Sequence, residues 1–156
     1  MKTTATAMRP FEDPDLDALI QMVEAHLRED VELTIGPWSR SEAMLRIEMP
    51  AARDDIKVIE GRGGQPIAFF WVTTQDKALV LDEIHVVASA RGTGLGRAMM
   101  EEVTREALRR GLGRIHLSVF AHSPQVAFYE KLGFEELGRD SKRHQIKMGK
   151  ELEGVG

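Results

Sequence analysis

Apolar positions along the chain repeat in two ways, about every 3.6 residues or every second residue. Leu16, Leu19, Ile20, Val23 and Leu27 recur at helical spacing and predict a helix over about 14–29, with Pro14 early and Asp13 as its N-cap. Met8 to Phe11 precede it as a short strand. After the Gly36-Pro37 break, Ser39 or Ser41 caps a second helix through Met44, Leu45 and Ile47, ending before Pro50. Ile56 to Glu60 and Ile67 to Thr74 read as strands joined by the hairpin turn Gly61-Arg62-Gly63-Gly64. Ala78 to Val87 is a further strand. Leu95, Met99, Val103 and Ala107 mark one face of a helix over about 94–110, with Gly111 as its C-cap. Ile115 to Phe120 alternates as a strand, and Ser123-Pro124 opens a last helix that Gly133 ends. Phe134 to Leu137 and a segment over about 142–148 make a final strand pair.

The predicted order is βααβββαβαββ. The strand–helix–strand unit from Ala78 to Phe120 implies one parallel pair, and the closely spaced strands imply antiparallel hairpins. The expected fold class is mixed α/β, a mostly antiparallel central sheet with helices on both faces. A length of 156 residues fits one domain.

Composition narrows the classes. Apolar residues make up 42% and charged residues 29%, ordinary for a globular protein. No apolar run reaches the roughly 18 residues of a membrane span. The stretch Met1 to Ala7 is too short and weakly apolar for a secretory signal. Cysteine is absent, which removes a disulfide framework, a thiolate metal site and a cysteine nucleophile, and suits a cytoplasmic protein. Histidines do not fall at metal-ligand spacing, so no metal is expected. A net charge of −4 argues against nucleic acid as the main partner.

The richest chemistry lies at Arg91-Gly92-Thr93-Gly94-Leu95-Gly96-Arg97. A strand that ends in a glycine-rich turn and enters a helix gathers backbone N–H groups at the positive end of the helix dipole, an anion site. Two arginines add charge. A Walker loop requires Gly-x-x-x-x-Gly-Lys-Ser/Thr, which does not occur. A dinucleotide fingerprint requires Gly-x-Gly-x-x-Gly, and here the third glycine comes one place early. A pyrophosphate turn of the form Arg/Gln-x-x-Gly-x-Gly/Ala is matched by Arg91, Gly94 and Gly96.

That turn, the preceding Asp82-Glu83-Ile84-His85-Val86-Val87 and the later Ala127-Phe128-Tyr129-Glu130-Lys131-Leu132-Gly133-Phe134 together resemble the GNAT superfamily of acyl-CoA-dependent N-acyltransferases. The resemblance covers roughly residues 66–148, the acetyl-CoA-binding core; residues 1–60 correspond to the family's variable, acceptor-selective part. It implies that the strands 78–87 and 115–120 splay apart. The backbone of Val86, Val87 and Ala88 would pair with the pantetheine arm, and the amides from Arg91 through Gly92, Thr93, Gly94, Leu95 and Gly96 to Arg97 would hold the pyrophosphate. Tyr129 would stand near the cofactor sulfur as general acid. Seven residues before that tyrosine the family often has an asparagine that binds the cofactor arm. Here His122 stands there, and its imidazole either does the same work or leaves the contact unmade. A homodimer is the default for the class, with the C-terminal strand pair as an available edge.

Acyl transfer to an amine needs a base for the ammonium proton, a donor for the developing oxyanion and a proton for the leaving thiolate. Glu83 is the favoured base or amine anchor, with Asp82 and His85 as alternatives. Adjacent strand residues face opposite ways, so only one of the acidic pair looks into a cleft unless a bulge intervenes. Phe69, Phe70 and Trp71 read as sheet core with one face toward a substrate groove, to which Phe70 is assigned. Trp38, on the loop between the two N-terminal helices, reads as a wall of the acceptor pocket or a hydrophobic plug. Glu29, Asp30 and Glu32 suit a cationic amine or form a solvated face. His26 reads as a helix-face residue, and His116 and His144 as structural residues on strands. The expected reaction is acetyl transfer from acetyl-CoA to a primary amine of a small molecule, with a peptide amine or a non-catalytic acyl-CoA-binding module as rivals.

Overall fold

A continuous aromatic and β-branched run, Phe69 to Val72, makes β3 (Pro66–Gln75) the strand that divides the core. The computed structural model describes residues 8–34, 36–38 and 55–153. Phe69 and Trp71 bury on one face of β3 with Leu19, Ile20 and Val23 of α1 (Leu16–Thr34). Ala68, Phe70 and Val72 bury on the other, with Met99, Val103 and Ala107 of α2 (Leu95–Arg109). Phe69, Phe70 and Leu79 are among the largest fully buried side chains. Burial on this scale is worth about 1.5–3 kcal/mol per side chain.

The other strands are β1 (Met8–Pro10), β2 (Ile56–Glu60), β4 (Ala78–Val86), β5 (Arg114–Phe120), β6 (Glu135–Asp140) and β7 (Gln145–Glu151). Among the described residues they form one seven-stranded sheet in the order β1-β2-β3-β4-β5-β7-β6. Only β4 and β5 pair in parallel, joined through α2. A short helix α3 (Gln125–Lys131) follows β5. The mixed sheet with helices on both faces is thus as the sequence predicts.

Local chemistry explains the boundaries. Gly111 closes α2 by donating its N–H to Leu108 O while Leu112 N–H reaches Ala107 O, and Gly133 and Phe134 close α3 in the same way. The outer face of α2 carries Glu102 and Glu106, bridged by Arg105, Arg109 and Arg110.

Two expectations are corrected. The first helix is longer than predicted and is not capped by Asp13. A 3-10 turn, Asp13–Asp15, precedes it, and Asp15 is the fixed group. Its carboxylate accepts two bonds from Arg9, each 2.8 Å, and one from the Glu12 N–H. Arg9 holds the Asp15 carboxyl below the usual carboxylate range. His144 lies in a turn at φ 58 rather than on a strand, and β7 begins after it. The predicted helix through Met44, Leu45 and Ile47 lies outside the described residues.

Candidate active site

The pairing of β4 with β5 stops early. Leu79, Val80 and Leu81 pair with Ile115, His116 and Leu117, and beyond them the strands diverge. The split leaves a cavity of about 650 Å³ between α1, β4, β5 and α3.

Register determines what faces it. Trp71 pairs with Glu83, but Val72 pairs with Leu81, so Asp82 is an extra residue on β4. This is a β-bulge, and it changes the phase of the strand. Leu79 and Leu81 pack in the α2 core, yet Glu83 and His85 sit opposite Trp71 and Phe69, on the α1 side. Both Asp82 and Glu83 line the cavity. Thr73 donates its hydroxyl to Asp82 Oδ2 at 2.7 Å.

Behind Glu83 stands a chain of side chains. Glu83 Oε1 is 2.7 Å from His85 Nε2, and His85 Nδ1 is 2.7 Å from His26 Nδ1 on α1. His85 is 5% exposed, with His26 stacked at 4.9 Å and Phe69 at 5.2 Å between ring centroids. Burial above all, then the charges of His85 and Arg91, lowers the His26 pKa to about 4 against a small opposing pull from the Val86 backbone. Tyr129 reaches the same cavity from α3, 3% exposed. Burial first, then the Glu83 charge, pushes its phenol up, so it keeps its proton.

Trp38 also lines the cavity, with Nε1–H donating to Glu24 Oε2 at 2.9 Å. Of the acidic cluster on α1, Asp30 faces the cavity, whereas Glu32 pairs with Arg28 at 3.5 Å. Trp71, not Phe70, supplies the aromatic wall from β3. Phe70 is buried in the α2 core because it lies one place out of phase. His122 does not line the cavity. Its Nε2–H donates to Asp30 Oδ1 at 2.7 Å, because the loop after β5 brings it against α1.

The glycine turn lies just past β4. Gly92 (φ 75) and Gly94 (φ 88) adopt left-handed conformations that a side chain would strain. The first helical bond of α2 is Ala98 N–H to Gly94 O, so the amides of Leu95, Gly96 and Arg97 have no acceptor inside the helix, and Gly94 offers no capping side chain. Within the expected pantetheine strip, Val87 is turned away: its N–H donates to Ile67 O on β3 at 2.9 Å, and its carbonyl takes the Ala90 N–H. The Ala88 carbonyl likewise accepts from Arg91 N–H, in the 3-10 turn Ala88–Ala90. Alternation then turns Val86 toward the gap.

Residues 19–134 match the model of the acetyltransferase (GNAT) family. The chain belongs to that family. It is 37% identical over 87 residues to a mycothiol acetyltransferase from Catenulispora acidiphila, covering 51% of this chain and 28% of that one. It is 32% identical over 71 residues to a streptothricin acetyltransferase from Streptomyces lavendulae, covering 45% of this chain and 38% of that one. The chain therefore spans well under half the length of these relatives. In fold it resembles a PaiA N-acetyltransferase from Thermoplasma acidophilum solved with coenzyme A, at a TM-score of 0.71 and 18% identity, covering 95% and 99% of the two chains.

GNAT enzymes use acetyl-CoA as donor. The groups of this chain fit such a molecule: three helix-start amides without acceptors, Arg91 and Arg97 beside them, a strand edge at Val86, and open space at the missing Cβ of Gly92 and Gly94. Among the described residues no helix is long and apolar enough to cross a membrane.

Proposed function

We propose that the protein is an N-acetyltransferase that moves an acetyl group from acetyl-CoA to the primary amine of a small molecule by direct attack in a ternary complex. The observation that carries this reading is that Glu83 and Tyr129 face one cavity at the strand split, beside a helix start open to an anion.

Acetyl-CoA supplies the activated thioester. The amides of Leu95, Gly96 and Arg97, with Arg91, bind its diphosphate. Val86 N–H hydrogen-bonds the acyl oxygen as charge develops there. Glu83 takes the ammonium proton, directly or through water, with Asp82 anchoring the amine beside it. Tyr129 holds a proton for the departing sulfur. Trp38 and Trp71 wall the acceptor end, and Asp30 and Asp82 give it negative charge, which suits a compact cationic amine. The relatives named for mycothiol and streptothricin support a small acceptor.

The reading extends to the cytoplasm as site of action and to a homodimer, for which β6, with Leu137 exposed, offers an edge. Thiol release from acetyl-CoA across a panel of small amines and peptides tests the function. Turnover with small cationic amines is the expected result. Faster turnover with peptide amines would reassign the acceptor, and no release above background with any acceptor would leave a binding module.

A further inference from the structure

His26 and His85 are 59 positions apart in the chain, yet their Nδ1 atoms approach to 2.7 Å. His85 is buried, and its other nitrogen is held at 2.7 Å by the Glu83 carboxylate. Two short contacts on one ring constrain its protons. An ionised carboxylate only accepts, so His85 Nε2 carries a hydrogen. In a neutral His85, Nδ1 is then bare, and the contact to His26 closes only if His26 Nδ1 carries the hydrogen. The chain of donors runs from α1 inward: His26 to His85 to Glu83. We propose that His26 is a positioning residue, which donates to the bare Nδ1 of His85, keeps that ring neutral and fixed, and so orients the Glu83 carboxylate for the acceptor amine. The inference rests on the reading of Glu83 as base.

The alternative arrangement has different chemistry. A doubly protonated His85 would donate to both neighbours and place an imidazolium against Glu83. That charge would make the carboxylate a weaker base. Glu83 and the Val86 backbone bear on the pair from β4 and Arg91 from the turn that follows, while β3 contributes the ring of Phe69; Asp82 and Asp30 line the same cavity, bonded to Thr73 and His122. Without the His26 donor, His85 can take a second proton at Nδ1, while the Glu83 carboxylate still keeps the hydrogen on Nε2.

Two substitutions separate donor from bulk. His26→Leu removes the donor. His26→Asn keeps an N–H the same number of bonds from the backbone as Nδ1. The leucine variant should lose about tenfold in kcat, the order of one hydrogen bond, with the acetyl-CoA Kd unchanged by calorimetry. The asparagine variant should recover most of it. Long-range 1H–15N spectra of the protein without ligand should show His85 as the neutral Nε2–H tautomer in the wild type. A doubly protonated or Nδ1–H His85 there, or equal kcat in the two variants, overturns the proposal. Glu83→Gln distinguishes the underlying reading. Full turnover in that variant removes Glu83 as base, whereas an inactive Glu83→Gln beside a fully active His26→Leu removes only the role of His26.

Discussion

The two halves of β4 obey different rules. Leu79 and Leu81 lie in the half paired on both sides, and both are buried in the α2 core. Glu83 and His85 lie in the half paired on β3 alone, on the opposite side of the sheet. One extra residue, Asp82, separates them. Were β4 a regular strand through Asp82, Leu79, Leu81, Glu83 and His85 would share a face, and a carboxylate would be driven into apolar packing at a cost of several kcal/mol. The difference teaches that the same strand can act as scaffold and as chemistry, provided a bulge changes its phase where the partner strand departs.

This contrast can be tested from either half. The largest effect is expected at the cavity. Tyr129→Phe should lower kcat by about a hundredfold while leaving acetyl-CoA affinity nearly unchanged, read by thiol release and calorimetry. Leu79→Ala, in the paired half, should do the reverse. It should cost about 2–5 kcal/mol of stability in urea unfolding, with kcat per folded molecule unchanged. A large loss of kcat there would show that the two halves are not separable.

The smallest effect is a pH slope. Native His26 titrates near 4, below its ordinary value of 6.5. Between those values the unfolded chain binds more protons than the native one, so stability falls as pH drops from about 6.5 toward 4. Urea midpoints across that window should decline, and His26→Asn should flatten the decline. His116, also below its ordinary value, adds to the same decline, and Glu102, Glu106 and Asp15 add to it toward the acid end, so the difference between the wild type and His26→Asn is what isolates His26.

The sheet and α2 were legible because their signals are local. Alternation marked the strands, and Leu95, Met99, Val103 and Ala107 marked the helix. The glycine turn was legible from three glycines and two arginines. Phase was less so. Phe70 and Trp71 are neighbours with similar chemistry, and only pairing with β4 decides that Trp71 faces the cavity. Val87 looked equivalent to Val86 until its bond to Ile67 was known. The partner of His85 lay farthest from reach, since no local pattern links positions 26 and 85. A faint signal was present: His26 stands three residues after Val23, on the buried stripe of α1, where an exposed histidine would not be expected.

Gly94 leaves the first turn of α2 without a cap of its own. A seated diphosphate would act as that cap, so donor binding and helix integrity become linked quantities. The same helix presents Met99 and Val103 to the core, which carries the benefit from the turn into the body of the sheet. Mass action sets its size at about 2.7 kcal/mol when the donor stands at a hundred times its Kd. The abundance of acetyl-CoA would thereby govern how long each molecule survives heat as well as how fast it turns over.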